Sequence, residues 1–283
     1  MGAPPSLVCG SRTLDVSRPR VMGVINATPD SFYERSRRVG VDAALEAAAG
    51  MVEAGADIVD IGGESTRPGA RPVSEGEEID RTAPIIERLR ELDAVISIDT
   101  YKAGVAAAAI DAGADLVNDV RAARSDGMLA LLAGSGVGVC LMHMRGEPRT
   151  MQERPVYADV VKDVGAFLDR RVRACREAGI DTARLLVDPG FGFGKTVSHN
   201  LTLLANLRAL SSIGLPILVG LSRKSTLGEL TGKAVTERLP ASIASAVMAA
   251  LNGVAVLRVH DVEETVDALK VVEATRAHAR PGA

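Results

Sequence analysis

The 283-residue chain contains few aromatic residues and few cysteines. It has no Trp, three Tyr and four Phe, so its core must consist mainly of Ala, Val, Ile and Leu. The three cysteines, Cys9, Cys140 and Cys175, lack the close pairing of a zinc site or a CxxC redox site. We interpret them as reduced, buried thiols of a cytoplasmic protein.

Long apolar runs are also missing. No segment approaches the roughly 18 consecutive apolar residues of a membrane span, and the chain does not begin with a basic segment followed by an apolar core. We therefore expect a soluble cytoplasmic protein without a membrane partner. Charged residues make up 24% of the chain and the net charge is −3, which argues against a nucleic acid as partner. This charge is compatible with a local basic pocket for a small polyanionic substrate.

The chain does contain eight apolar runs of strand length, separated by alanine-rich amphipathic segments. The runs cover residues 21–25, 57–61, 95–98, 115–117, 137–142, 185–187, 216–219 and 254–259. Nearly continuous apolar strands are typical of parallel sheets that helices cover on both faces. Eight evenly distributed strand–helix units predict a single-domain (β/α)8 TIM barrel, an α/β fold, and disfavour the alternative of a doubly wound open sheet.

The segments between the runs carry helix signals. Helices are predicted over 42–54, 74–92, 101–112 and 157–178, and three of them end at a glycine, Gly55, Gly113 or Gly179, that a left-handed helix end would explain. Residues 1–20 form a lead with a possible β-hairpin that turns at Gly10 and Ser11. The barrel is predicted over residues 21–278.

Polar residues follow the apolar runs at their carboxyl ends. The residues concerned are Asn26, 64–67, Asp99, Asn118, Asp119, His143, Asp188, 222–224, Arg258 and His260. In a barrel these positions converge on one face, where the active sites of this fold lie. Taken singly, each Asp or Asn is more often a helix cap or a turn former, and His143 could equally be a core histidine.

The cationic members of this ring point to an anionic ligand. Arg67, Lys224, Arg258 and His260 in one crevice would repel each other unless an anion neutralised them. Arg258 and His260 are two residues apart, so on a strand both side chains would lie on the same face, as binding of a phosphate requires.

The segment from Gly190 to Thr196 resembles a phosphate-binding P-loop but fails its pattern. Pro189 stands where the first glycine would have to be. The glycines are better explained by a close approach of the backbone to a flat ligand, with Phe191 or Phe193 as an aromatic face, although either ring could equally pack in the core. The sequence contains neither a zinc-hydrolase motif nor the order of a serine-hydrolase triad.

Taken together, the segments resemble the dihydropteroate synthase family over roughly residues 7 to 276. The motifs that carry the resemblance are VMGVINATPDSF (21–32), GGESTRPGA (62–70), SIDT (97–100), NDV (118–120), CLMHM (140–144), LLVDPGFGFGK (185–195), GLSRKS (220–225) and RVHDV (258–262). The resemblance implies a transferase that joins 6-hydroxymethyl-7,8-dihydropterin diphosphate to p-aminobenzoate, with SN1-like loss of diphosphate. It also implies a homodimer through helices late in the barrel; the alanine-rich residues 241–251 could belong to that interface or could equally pack against the strands.

The resemblance further implies a role for each motif residue. The pterin would be bound by Asp99, Asn118, Asp188 and Lys224. The diphosphate would be bound by Asn26, Thr66, Arg67, Arg258 and His260, with Mg2+ at Asn26. The p-aminobenzoate would lie against Pro68, Phe193, Ser222, Arg223 and Lys224. Lys224, Arg67, Arg258 and His260 would form the catalytic set. Loops 27–39 and 63–73 are expected to order over the site.

One stretch departs from the family pattern. After Phe32 the usual Ser-Asp-Gly-Gly is replaced by residues 33–38, Tyr-Glu-Arg-Ser-Arg-Arg, which resembles the stretch found in sulfonamide-resistant members. Reduced sulfonamide sensitivity is therefore one hypothesis, and a variable, solvated loop is the other. Two further alternatives concern function: a pterin-binding methyltransferase domain, which would need no diphosphate site, and a noncatalytic paralogue, which would be expected to lose motif residues.

Overall fold

The structure is a computed structural model and describes residues 6–27, 37–65, 71–147, 150–153 and 155–278, with the backbone alone at 37–39. Its strands are β1 (Ser6–Cys9), β2 (Arg12–Asp15), β3 (Arg20–Asn26), β4 (Ile58–Gly62), β5 (Val95–Asp99), β6 (Leu116–Asp119), β7 (Gly138–Met142), β8 (Leu185–Asp188), β9 (Leu218–Val219) and β10 (Val256–Val259). Its α-helices are α1 (Arg37–Glu53), α2 (Glu75–Leu89), α3 (Ala103–Ala112), α4 (Met128–Gly134), α5 (Val160–Glu177), α6 (Val197–Ala205), α7 (Ser225–Thr231), α8 (Leu239–Leu251) and α9 (Val262–Ala277).

Strands β3 to β10 form one parallel sheet. Neighbouring strands follow the order β8-β7-β6-β5-β4-β3-β10-β9. A parallel bridge between Val187 of β8 and Ile217, just before β9, joins the two ends of this order. The predicted single-domain (β/α)8 barrel is confirmed.

The interior of the barrel is apolar near the amino ends of the strands. Each barrel strand contributes one buried side chain to this layer: Met22, Ile58, Val95, Leu116, Cys140, Leu186, Leu218 and Val256. Strands β1 and β2 form an antiparallel hairpin whose Leu7 and Cys9, both fully buried, pack against the same layer. The hairpin therefore closes the amino end of the barrel.

A larger apolar core lies between the outer faces of the strands and the surrounding helices. Its helices end as predicted, since Gly55, Gly113 and Gly179 all have positive φ, at +100°, +110° and +91°. Helix α2 begins where Ser74 accepts a hydrogen bond from the backbone N–H of Glu77 (3.2 Å), and it continues through Pro84. Among the described residues no helix is both long and apolar enough to cross a membrane.

Polar residues occupy the next interior layer, because side chains two residues further along a strand face the same side. Moving two positions on from the apolar layer leads from Ile58 to Asp60 and from Leu116 to Asn118. The same step leads from Leu186 to Asp188 and from Val256 to Arg258. The carboxyl end of the barrel is therefore lined by charged and amide groups.

Candidate active site

A buried carboxylate that the sequence analysis missed lies at the centre of the site. Asp60, which is 0% exposed, accepts hydrogen bonds from Ser97 Oγ (2.6 Å), Asn118 Nδ2 (3.1 Å) and Arg258 Nε (2.7 Å). The signal that could have revealed it is a single carboxylate inside the apolar strand β4. Asp60 was overlooked because it lies within the strand and not at its end.

Arg258 bridges two carboxylates. Its Nε donates to Asp60 and its Nη2 donates to Asp99 Oδ2 at 2.7 Å. The argument that only a bound anion could neutralise the cations of the ring is therefore wrong for Arg258, because the protein itself supplies both counter-charges. Its side chain is still 22% exposed. A diphosphate-binding role for Arg258 stays a prediction.

Asp99 and Asp188, the two carboxylates that were predicted to bind the pterin, are desolvated. Burial raises the pKa of Asp99 to about 7, with nearby Asp60 adding to the rise and Arg258 opposing it. Burial also raises the pKa of Asp188. This rise is opposed by the charge of Lys224 and by a 2.7 Å hydrogen bond from the Gly190 backbone N–H. Both groups lie at the same barrel end as Asn118, so the structure brings these three of the four predicted pterin residues together.

Lys224 lies against the loop that follows β8. Its Nζ donates to the carbonyl oxygen of Phe191 and lies 4.7 Å from the ring centroid of Phe193. Burial lowers the pKa of Lys224 to about 8, although the carboxylates Asp188 and Asp99 oppose the shift. Phe191 is a core residue at 1% exposure, whereas Phe193 is half-buried, so only the second ring is available to a ligand.

Ser222 and His260 lie together. The backbone N–H of His260 donates to Ser222 Oγ (3.2 Å), and His260 Nδ1 lies 3.1 Å from the same oxygen. His260 follows the last residue of β10, Val259, and is exposed.

Arg223 is turned toward a different partner. Its guanidinium binds both carboxylate oxygens of Asp261, and its backbone has a positive φ of +58°. The Arg223 N–H donates to Ser242 Oγ (3.0 Å), and its carbonyl accepts from Arg238 Nη1 (2.9 Å). In this arrangement Arg223 is engaged by Asp261, and contact with p-aminobenzoate stays a prediction.

Asn26 lies at the same barrel end, and three other predicted residues lie outside the described part of the chain. Asn26 is exposed at the carboxyl end of β3, where it pairs in register with Gly62. Thr66, Arg67 and Pro68 lie outside the described residues, as do positions 28–36 of the unusual first loop.

Two members of the polar ring are structural. Asp119, fully buried, accepts hydrogen bonds from the backbone N–H groups of Arg121 (2.7 Å) and Ala123 (2.8 Å), as the turn-former interpretation predicts. His143 is 5% exposed, and its Nδ1 lies 2.9 Å from Lys195 Nζ. Lys195 also donates to the carbonyl oxygens of Gly190 and Phe193, so this lysine is not a P-loop lysine.

The residues present fit a magnesium ion that is bound mainly by a substrate. Among the described residues no group of three His, Cys, Asp or Glu side chains could hold a metal ion by itself. Mg2+ commonly keeps several waters and takes one or two protein oxygens together with phosphate oxygens. The exposed amide of Asn26, at the carboxyl end of β3, suits such a site.

Comparison with known proteins agrees with this site. Residues 22–260 match the family model described as pterin binding enzyme. Dihydropteroate synthase of Escherichia coli K12 is 47% identical over 264 residues, covering 93% of this chain and 94% of that protein.

Solved structures agree with this relationship. Xanthomonas albilineans dihydropteroate synthase with 4-aminobenzoic acid has a TM-score of 0.91 and 48% identity, covering 97% of this chain and 99% of that one. The same enzyme with 7,8-dihydropteroate gives a TM-score of 0.87 and 44% identity, covering 98% and 100%. The chain therefore belongs to the dihydropteroate synthase family of pterin-binding enzymes.

Proposed function

We propose that the protein condenses 6-hydroxymethyl-7,8-dihydropterin diphosphate with p-aminobenzoate to give 7,8-dihydropteroate and diphosphate. The observation that carries the proposal is a single barrel end where Asp99, Asn118 and Asp188 lie beside Arg258 and Lys224. Hydrogen-bond acceptors suit the donor edge of a pterin, and cations suit a departing diphosphate. The Xanthomonas relatives carry 4-aminobenzoic acid and 7,8-dihydropteroate, which are a substrate and the product of this reaction.

The network around Asp60 supports the pterin assignment. Asn118 donates its amide N–H to Asp60. The amide oxygen of Asn118 can therefore accept a hydrogen bond from the ligand. The 2-amino-4-oxo pyrimidine ring of a pterin presents adjacent N–H donors that a carboxylate accepts as a pair. Asp188 and Asp99 are the carboxylates within reach, and Lys224 can donate to the carbonyl or a ring nitrogen.

The chemistry that we propose begins with ionisation. The bond between the pterin methylene and oxygen breaks, its electron pair leaves with the diphosphate, and the dihydropterin delocalises the cation. The neutral arylamine then attacks the methylene and releases a proton. No side chain has to act as a dedicated base, so the protein contributes mainly by positioning the amine and stabilising the departing anion. Arg258, His260 and Arg67 would stabilise that anion.

We propose Mg2+ as the cofactor, bound through Asn26 and diphosphate oxygens. When bound, the ion would neutralise charge that develops on the leaving group. Asn26 would orient the diphosphate at the carboxyl end of β3, next to Gly62.

The decisive experiment measures diphosphate release with and without p-aminobenzoate. A dihydropteroate synthase releases diphosphate and forms dihydropteroate when both substrates are present. A pterin-binding methyltransferase domain or a noncatalytic paralogue forms no dihydropteroate. Lys224→Ala should keep the fold and lose turnover, and near-normal product formation by this variant would refute the pterin assignment of Lys224.

We also propose a homodimer and a cytoplasmic location. Helix α8 has no charged residue, and its exposed positions 240, 244, 248 and 251 form one stripe at helical spacing. The three cysteines are buried and unpaired, which suits a reducing compartment.

Reduced sulfonamide sensitivity is a separate proposal that rests on the sequence at 33–38. Replacing this stretch by Ser-Asp-Gly-Gly should lower the sulfonamide inhibition constant measured against p-aminobenzoate. An unchanged constant would favour the interpretation of a variable, solvated loop.

A further inference from the structure

Lys195 binds the loop that follows β8, the same loop that Lys224 contacts. Its side chain is buried at 3% exposure, and its Nζ has three partners: His143 Nδ1 (2.9 Å), the Gly190 carbonyl (2.8 Å) and the Phe193 carbonyl (3.1 Å). An ammonium has three N–H donors and no acceptor. Burial lowers the pKa of Lys195 to about 7, a shift that the nearby carboxylate of Asp188 opposes. In the charged form all three donors are used within the protein, and none is available to a substrate.

The loop that Lys195 binds has little freedom to move. Gly190, Gly192 and Gly194 all have positive φ, and a Cβ at Gly190 would lie 1.9 Å from the carbonyl oxygen of His143. Side chains bind all five carbonyl groups from 190 to 194, through the pairs Lys195–Gly190, Lys224–Phe191, Gln152–Gly192, Lys195–Phe193 and Tyr157–Gly194. Lys195 thus binds two of the five carbonyls.

The same loop borders the site through its contacts with Lys224. The Phe191 carbonyl accepts from Lys224 Nζ, and the Phe193 ring lies 4.7 Å from the same nitrogen. A Cβ at Gly192 would lie 3.3 Å from Lys224 Cδ, so backbone and lysine are already in contact. Lys195 holds the carbonyls on either side of Phe191 in the chain, and a shift of the loop must therefore move the groups that meet Lys224.

We infer that Lys195 is a positioning residue, which sets the Gly190–Gly194 loop and through it the Phe193 ring and Lys224. The inference rests on the proposed function, in which these two residues border the p-aminobenzoate subsite. Lys195 touches no substrate in this role. His143 serves as its acceptor from the end of β7.

The state of His143 agrees with this role. Burial lowers the pKa of His143 to about 3, with the charge of Lys195 adding to the shift, so the imidazole is neutral near pH 7 and Nδ1 can accept a hydrogen bond. Neutral imidazole, two carbonyls and one ammonium form a fully satisfied buried group, which is the arrangement that fixes a loop in one conformation.

Lys195→Met tests the inference, because Met fills a similar volume without the three donors. Misplacing a reacting group by about 1 Å can lower the reaction rate by up to about 100-fold. We expect the KM for p-aminobenzoate to rise about 10- to 100-fold. The KM for the pterin diphosphate should rise less, because only Lys224 and Asp188 among the predicted pterin residues contact this loop, whereas Asp99 and Asn118 lie on other strands. Equal effects on both KM values, or none, would overturn the inference.

Arg184→Met is the matched control. Arg184 also binds backbone carbonyls, those of Val137 (2.8 Å) and Leu132 (2.8 Å), but it does so at the amino end of β8. This variant should lower the melting temperature and leave both KM values unchanged. A rise in the KM for p-aminobenzoate here would assign the effect of Lys195→Met to general destabilisation and overturn the inference.

A second pair decides the question if Lys195→Met does not fold. His143→Asn keeps an acceptor near the position of Nδ1, whereas His143→Leu removes it. The first variant should keep the KM for p-aminobenzoate, and the second should raise it. Equal KM values for the two would overturn the inference. Wild-type protein that forms no dihydropteroate would instead refute the proposed function, so the two failures are distinguishable.

Discussion

Asp60 is the residue on which the pterin side of the site depends. Its carboxylate holds the Asn118 amide and the Arg258 guanidinium in one orientation. Asp60→Asn keeps the shape of the side chain, but its NH2 group would face Asn118 and Arg258, which are themselves donors. Losing the acceptor of a buried charged pair costs roughly 1–3 kcal/mol, so we expect weaker pterin binding by about 10- to 100-fold and a lower melting temperature. Calorimetry with 6-hydroxymethylpterin and thermal unfolding measure the two effects.

Asp93→Asn is the control for this prediction. The side chain of Asp93 is fully exposed and lies 3.7 Å from Arg12 at the other end of the barrel. Exposed ion pairs contribute little to the stability of the folded protein. Pterin binding and the melting temperature of Asp93→Asn should therefore match those of the wild type. If Asp60→Asn behaved like Asp93→Asn, Asp60 would not orient the site.

Asp99 makes pterin binding dependent on pH. Because burial raises the pKa of Asp99 to about 7, the carboxylate accepts ligand N–H groups fully only above that pH. The association constant for 6-hydroxymethylpterin should therefore fall as the pH drops below about 7, by up to about tenfold per unit. This ligand lacks the diphosphate and its titration, and calorimetry from pH 5 to 7 stays below the pKa of about 8 at which Lys224 loses its proton. A flat profile would contradict the prediction, and Asp99→Asn should remove the dependence.

The same shift has a consequence for stability. A carboxyl group with a raised pKa binds a proton in the folded protein at a pH where the unfolded chain has released it. The contribution of Asp99 to stability is therefore fully present below its unfolded pKa and is lost as the pH rises through about 7. Binding and stability thus change in opposite directions with pH.

The sequence predicted the residues at strand ends better than those within strands. Asp99, Asn118 and Asp188 follow apolar runs, so position alone pointed to them. Asp60 requires knowledge of which side of β4 faces inward, and that follows only once the register of all eight strands is known. The ion pairs of Arg258 with Asp60 and Asp99 could not be predicted for the same reason.

At the scale of the element, the loop after β8 depends on glycine. Gly190→Ala meets two penalties, since φ is +68° and the new Cβ would lie 1.9 Å from the carbonyl oxygen of His143. Gly232→Ala meets only one, because φ is +69° but nothing lies within 4 Å. A left-handed Ala costs about 1–2 kcal/mol.

Chemical denaturation should therefore show a loss of about 1–2 kcal/mol for Gly232→Ala and a larger loss for Gly190→Ala. The KM for p-aminobenzoate should rise only in Gly190→Ala, because Lys195 binds the Gly190 carbonyl and this loop borders the site. Equal losses in the two variants would mean that the loop can move away from His143.

The sequence interpretation of this loop was partly correct. Failure of the P-loop pattern rightly excluded Lys195 as a phosphate ligand, but it also removed this lysine from further consideration. Its role emerges from contacts with residues 143, 190 and 193, which only the folded chain brings together. The glycines predicted a close approach of the backbone to a flat ligand, whereas at Gly190 and Gly194 the segment after β7 occupies that space.

At the scale of the whole molecule, the barrel was predictable because its signal repeats eight times. Each apolar run is ambiguous when taken singly, but regular alternation with helical segments leaves few architectures. The length of a run was less informative: β9 has only two residues, although the apolar run at 216–219 predicts a longer strand. The bridge at Ile217 supplies the missing pairing.

The proposed dimer separates assembly from catalysis. Met248 and Leu251 are 49% and 45% exposed on the uncharged helix α8, whereas the described site residues lie at the carboxyl ends of the strands of one chain. Introducing Glu at Leu251 would bury an unpaired charge in each subunit of the dimer, which is strongly unfavourable. Val156→Glu is the control, because Val156 is 66% exposed outside α8.

Light scattering coupled to gel filtration should give a dimer for the wild type and for Val156→Glu, and a monomer for Leu251→Glu. Because no described site residue lies on α8, the monomeric variant should keep both KM values within about twofold of the wild type. A dimeric Leu251→Glu would exclude α8 as the interface. A monomer that lost turnover would mean that the partner subunit contributes to the site, and the barrel end described for one chain would then be incomplete.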